Sequence, residues 1–183
     1  MQWVSPLPGF TWCAAPASST AVLIPAGFAI AQSGTDRDVA RPQRIEEPGQ
    51  VVALDGYLEN REGLRGALGL PPEALGTFSD AALVLEAWKR WGEDGLKRLN
   101  GPIVVAISDL RDPRGPRTVL YREPLGRRGL HYLPTSGALL VATEPSALLA
   151  APFVSSELDE RWLTQYFALS RPTDNRTPFS AIR

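Results

Sequence analysis

Cysteine and histidine are almost missing from this sequence. Cys13 and His131 are each the only residue of their kind among 183. One thiol excludes an internal disulfide, and such cysteine usage fits a cytoplasmic setting. One thiol with one imidazole also excludes a typical structural zinc site of four nitrogen and sulfur ligands. No apolar run approaches the roughly 18 residues that mark a membrane span. The first residues lack the basic segment and apolar run of a signal peptide. No block of basic residues stands out and the formal net charge is -1, so nothing supplies a general electrostatic grip on nucleic acid. Neither nucleic acid nor a membrane is therefore expected as a partner. What remains is ordinary globular composition, with 44% apolar and 21% charged residues. The length suits one domain, which buries about 70% of its unfolded surface.

No internal repeat is present. The first twenty residues are rich in Pro, Ser, Ala and aromatics and read as an irregular edge strand or arm. Residues 20–32 read as one or two strands broken at Pro25. Ser33 to Gly49 is polar, carries Pro42 and Pro48, and reads as a long loop. Gln50–Leu58 is a buried strand ending in a turn at Asp55-Gly56. Asn60 is placed to cap a short helix that Gly69 closes. Ser79 is a natural N-cap for a longer helix, in which Ala81, Val84, Leu85, Trp88 and Trp91 recur at helical spacing before Gly92. Four strand-like runs follow, Pro102–Leu110, Arg117–Arg122, Gly129–Leu133 and Ala138–Thr143. Their short Gly- and Pro-bearing connections predict an antiparallel meander. Helices over Pro145–Ala150 and Leu158–Leu169 complete the pattern. Strands, then helices, then antiparallel strands indicate an α+β layered sandwich.

Four segments resemble, in order, the class II glutamine amidotransferase domain of asparagine synthetases. VVALDGYLENREGLRGALG (51–69) stands where that family has a strand, an Asn-Gly pair and a short "YN.REL" helix. FSDAALVLEAWKRWGEDGLKRLNGPIVVAISD (78–109) is similar to "SD.E.ll.ay..wG.d.l..lnG.fa.a..d". LYREPLGRRGLHYL (120–133) is similar to "aRD.lG..PLyY", and LLVATEPSALLA (139–150) to "l.faSE.kaLl". The resemblance implies an N-terminal-nucleophile hydrolase fold, a four-layer αββα sandwich of mainly antiparallel sheets. It places an amidotransferase-like domain at 1–154. Residues 155–183 then form a linker helix and tail leading towards an ATP-dependent synthetase domain, whose "SGG.DS" signature this sequence does not contain. No cofactor is expected in this segment. ATP and magnesium are expected for the synthetase domain.

The family's glutaminase uses a cysteine directly after the initiator Met, whose α-amine activates its own thiol. Here Gln2-Trp3-Val4 stands in place of Cys-Gly-Ile. Cys13 serves as nucleophile only if twelve residues are removed, and its alternative is an ordinary free thiol. The family's carboxylate-binding Arg has no counterpart in GFAIAQ (27–32), and Arg41 and Arg44 read as solvated loop residues. The family's Asn-Gly stabilises the oxyanion through a side-chain amide and a backbone N–H. This chain has Asp55-Gly56, and an ionised carboxylate repels a developing oxyanion. Gly56 either keeps the N–H role or is a turn glycine. Asp80 matches the family aspartate that binds the substrate's α-amino group, though an Asp opening a helix is stabilising by itself. Asn60 matches the "YN" position, with helix capping as its other role. Glu144 and His131 read as structural.

With no site residue assigned to catalysis, the resemblance implies a pseudo-glutaminase. Relatives that lack the cysteine adenylate a carboxylate and let an amine of the same substrate attack it. β-Lactam synthetases do so in a small molecule and lasso-peptide cyclases in a peptide, closing a macrolactam. The short divergent N-terminus and stripped site favour the lasso-peptide macrolactam synthetase. Its partners are its own C-terminal synthetase domain and a precursor peptide. The alternatives are a β-lactam-synthetase-like enzyme, a glutamine-hydrolysing asparagine synthetase with a processed Cys13, and a non-catalytic interaction module.

Overall fold

The computed structural model describes residues 20–24, 29–32, 43–113, 115, 117–135, 139–170 and 174–183. In chain order its strands are β1 (Thr20–Ile24), β2 (Ala29–Gln32), β3 (Gln43–Glu47), β4 (Gln50–Gly56), β5 (Ile103–Asp109), β6 (Arg117–Arg122), β7 (His131–Pro134) and β8 (Leu139–Ala142). The helices are α1 (Arg61–Leu68), α2 (Ala74–Thr77), α3 (Asp80–Trp91), α4 (Glu93–Leu96), α5 (Pro145–Leu149) and α6 (Glu160–Phe167). The chain divides into two compact units, Asp36–Gly129 and Met1–Thr35 with Leu130–Arg183.

The unit of Asp36–Gly129 holds a sheet of order β3-β4-β5-β6, antiparallel throughout. Register puts Val52 opposite Ile107 and Leu54 opposite Val105. Alternate strand residues share a face, and these four join Leu83, Val84, Leu85 and Trp88 of α3 in one buried core. Each such side chain contributes about 1.5–3 kcal/mol of burial. Ser79 caps α3 as its sequence position suggests, its hydroxyl accepting from the Ala82 amide at 3.2 Å. Gly92, with φ of +57°, ends it.

Two expectations change here. The polar stretch before Gly49 ends in a strand, β3. Its only apolar residue, Ile45, packs on the core, while Arg44 and Glu46 point outward from this edge strand. The four later strands do not form one meander either. β5 pairs β6, but β7 pairs β8 in the other sheet. The cause is the segment after β6. The Glu123 carboxylate accepts from the Leu125 amide at 2.7 Å and from the Arg127 amide, which turns the chain out of the sheet.

The other unit holds a sheet of order β2-β1-β8-β7, also antiparallel, with α5 packed on it. Leu140, Ala142, Ala147, Leu148 and Ile182 form its core. Asp159 caps α6 by accepting from the Trp162 amide at 2.9 Å, so the helix begins after Leu158. The segment after α6 returns to this unit. Leu158 bridges Phe179, and Tyr132 and Arg183 exchange backbone hydrogen bonds of 2.7 and 2.9 Å. The α+β class and the mainly antiparallel sheets expected from the sequence are both present.

Candidate functional site

Three of the residues singled out in the sequence, Asp55, Gly56 and Asn60, lie where the chain leaves β4 for α1. Asp55 is the penultimate residue of that strand. Val52 and Leu54 face the helix-covered core, so alternation points Asp55 to the opposite face of the sheet. Its side chain is 11% exposed. Arg128 Nη1 donates to Asp55 Oδ1 at 2.9 Å, and Arg128 Nε donates to the Pro102 carbonyl at 3.0 Å. Burial pushes the Asp55 carboxyl above its ordinary range, and the charge and hydrogen bond of Arg128 oppose this only in part. Desolvation therefore outweighs the ion pair.

Gly56 lies in the ladder opposite Ile103 rather than in a turn. Its φ is +115°, and a Cβ there would lie 2.0 Å from the Pro102 carbonyl oxygen. Backbone approach, as well as backbone conformation, requires glycine.

Asn60 occupies the N-cap position of α1, but its side chain caps nothing there. Its φ of -107° and ψ of 32° are not the extended geometry that aims a cap at the first helical amides. Instead Nδ2 donates to the Arg98 carbonyl at 2.8 Å and Oδ1 accepts from the Asn100 amide at 3.0 Å. The Glu59 amide donates to the Asn100 carbonyl at 2.8 Å, so the start of α1 is tied to the loop before β5.

Asp80 opens α3 and is 3% exposed. Its Oδ2 accepts from the Leu58 amide at 2.8 Å, and Oδ1 is ion-paired with Arg61 Nη1. Arg61 Nη2 also donates to the Phe78 carbonyl at 2.8 Å. Asp80 is thus a helix-opening residue and the anchor of the β4–α1 connection at once.

The stretch from Asp55 to Arg61 carries Asp55, Gly56 and Asn60, and through the Leu58 amide and Arg61 it reaches Asp80 on the helix side, whereas Asp55 lies on the opposite face of the sheet and pairs with Arg128. Two residues that complete the cluster, Arg61 and Arg128, were not singled out in the sequence. Arg128 lies 73 residues from its partner, a separation that no local pattern spans. Cys13 and Arg41 lie outside the described residues. Arg44 is paired with Glu46 on β3. His131 lies in β7 opposite Ala142.

Chemically, the cluster consists of carboxylates held by guanidinium groups and backbone amides, an amide side chain spent on two loop contacts, and a glycine. None of Asp55, Gly56, Asn60, Arg61, Asp80 and Arg128 bears a thiol, hydroxyl or imidazole. Among the described residues no group of three or more His, Cys, Asp and Glu side chains could hold a metal ion. No helix among them is long and apolar enough to cross a membrane.

Over 134 residues the chain is 29% identical to asparagine synthetase [glutamine-hydrolyzing] 3 of Bacillus subtilis (strain 168), covering 72% of this chain and 20% of that protein. The chain therefore spans about a fifth of the relative's length. Glutamine phosphoribosylpyrophosphate amidotransferase from B. subtilis, solved in complex with ADP and GMP, superposes with a TM-score of 0.46 and 18% identity. That match covers 73% of this chain and 37% of that one. Residues 28–183 match the model of the glutamine amidotransferase domain family, which is most of the sequence, and the chain belongs to that family.

Proposed function

We propose that this chain is a glutaminase-inactive amidotransferase-family domain of an ATP-dependent, amide-bond-forming enzyme of the asparagine synthetase type. Asp55, Gly56, Asn60 and Asp80 are, on this reading, the remnant of its glutamine site. The observation that carries the reading is the Asp55–Arg128 pair. A tetrahedral oxyanion needs donors aimed at it. The side chain at position 55 is a carboxylate, and its Oδ1 already accepts from Arg128 at 2.9 Å. The segment Gln2-Trp3-Val4, which differs from the family's Cys-Gly-Ile, supports the same reading.

The parent reaction is macrolactam closure of a lasso-type precursor peptide. The divergent segment Gln2-Trp3-Val4 and the stripped site support that choice over ammonia-dependent amidation. ATP with magnesium would act in a synthetase domain, and no residue described here is assigned to hold them. The precursor peptide and that domain are the partners.

Glutamate release from L-glutamine by the purified chain tests the first part, with Cys13→Ala as control. Background release is expected in both. Release that disappears in Cys13→Ala would instead identify a processed, working amidotransferase. The second part is tested with the full-length enzyme, ATP and a precursor peptide. The expected product is a peptide lighter by one water.

A further inference from the structure

Asp80 is a buried carboxylate with an internal cation on it. Its side chain is 5% exposed, whereas that of Arg61 is 30% exposed. The Arg61 side chain therefore runs from solvent to the buried oxygen Oδ1. The other oxygen, Oδ2, is committed to the Leu58 amide at 2.8 Å. The guanidinium is held from a second side by the Phe78 carbonyl at 2.8 Å. Both oxygens of Asp80 are thus engaged from within the chain. A second cation on Oδ1 would compete with Arg61 for that oxygen.

We infer that Arg61 is an internal ligand: its guanidinium occupies the place on Asp80 that the ammonium group of an external ligand would take, and so keeps this site closed. The inference rests on the remnant-site reading above and adds the residue that closes the site. Removing the Arg61 side chain leaves a desolvated carboxylate without its counter-cation and opens a route from solvent to it. Such a group binds a small cation that restores the pairing. The ligand class is a primary ammonium, which offers three donors in a compact volume. The Leu58 amide, bonded to the other oxygen of Asp80, reports on the event without being a ligand.

The experiment uses the chain itself, as wild type, Arg61→Ala and the double variant Arg61→Ala with Asp80→Asn. Methylammonium chloride is the probe. Tetramethylammonium chloride at equal ionic strength is the control, since it carries charge but no N–H donor. The readouts are thermal unfolding and the Leu58 amide resonance. In Arg61→Ala, methylammonium is expected to raise Tm saturably by several degrees and to move the Leu58 amide. Tetramethylammonium, wild type and the double variant are expected to give no such response. Where Arg61→Ala does not fold, Arg61→Gln is used. It keeps a donor for the Phe78 carbonyl while removing the charge. A folded single variant with no methylammonium response overturns the inference, as does an equal response in wild type or in the double variant. Glutamate release by wild type would sink the inactive-domain reading separately, because this assay reads occupancy of Asp80 and involves no turnover.

Discussion

Arg128 donates to Asp55 at 2.9 Å, yet the Asp55 carboxyl stays above its ordinary range because burial outweighs the guanidinium. Asp109, in the same sheet, shows the opposite balance. Burial raises it too, but Trp88 Nε1 at 2.7 Å, Gln50 Nε2 at 2.8 Å and the Arg111 amide at 2.9 Å hold it below the ordinary range. One carboxylate with a single charged partner stays costly to ionise, and one with three donors does not.

Opposite pH dependence follows. The unfolded value for both groups is about 3.9. For Asp55 the folded state holds its proton longer than the unfolded state. Its contribution is greatest in acid, falls as pH rises from the unfolded value through the raised folded value, and is flat beyond. For Asp109 the folded state releases its proton first. Its contribution is present above the unfolded value and is lost as pH falls through the lowered folded value. Urea denaturation of wild type, Asp55→Asn and Asp109→Asn across the acid range gives the two differences. Parallel curves for the two variants would contradict the assignment.

Gly56→Ala is expected to destabilise the chain by on the order of 4 kcal/mol. Two effects combine at this position. The backbone conformation, φ +115°, is one that side-chain-bearing residues rarely adopt. The added Cβ also meets the Pro102 carbonyl at 2.0 Å, and that carbonyl is itself held by Arg128. Rigid backbone cannot yield as a flexible side chain would. Chemical denaturation measures the loss. A cost below about 1 kcal/mol would show that the strand end relaxes freely.

How much of this was legible in the sequence depends on how local each signal was. α3 was readable because Ser79 and the Ala81–Val84–Leu85–Trp88 spacing are local, and its cap and core face are where that pattern puts them. β3 was not, because QRIEE has one apolar residue and its strand form is set by pairing with β4. Asn60 was placed correctly at the start of α1, but its side chain follows the tertiary contact with Arg98 and Asn100. The same holds for the site. Asp55 and Asp80 carry recognisable positions, whereas Arg128 and Arg61 enter only through the folded geometry.

Ile182→Ala is expected to cost about 3 kcal/mol. Ile182 is fully buried and joins Leu140, Ala142, Ala147 and Leu148 in a core. Thr177 fixes its approach, the hydroxyl donating to the Ile182 carbonyl at 2.9 Å. A residue of a loose tail would lose almost nothing on truncation to alanine. Equilibrium unfolding separates the two cases, and a loss under about 0.5 kcal/mol would assign the segment a peripheral role.

Leu169→Gly is expected to stabilise the chain, against the usual direction for a glycine substitution. The two helix ends that make the argument lie in one molecule. α1 ends with the Gly69 amide bonded to the Gly66 carbonyl at 3.0 Å and the Leu70 amide bonded to the Arg65 carbonyl at 3.1 Å. α6 ends with the same pair of bonds, Leu169 to Tyr166 at 3.1 Å and Ser170 to Gln165 at 2.9 Å. Both turns require a left-handed residue, and φ is 71° at Gly69 and 54° at Leu169. Leucine in that conformation costs about 1–2 kcal/mol through its Cβ. Glycine returns about 0.5–1 kcal/mol of this as unfolded-chain entropy. Leu169 is 95% exposed, so the substitution removes almost no packing. The net gain is about 0.5–1 kcal/mol. Leu169→Ala is the control, since it removes the same side chain but keeps the Cβ. Thermal and urea unfolding should rank Gly above both Ala and wild type. Equal stability of the Gly and Ala variants would mean that the left-handed turn carries no strain at this position.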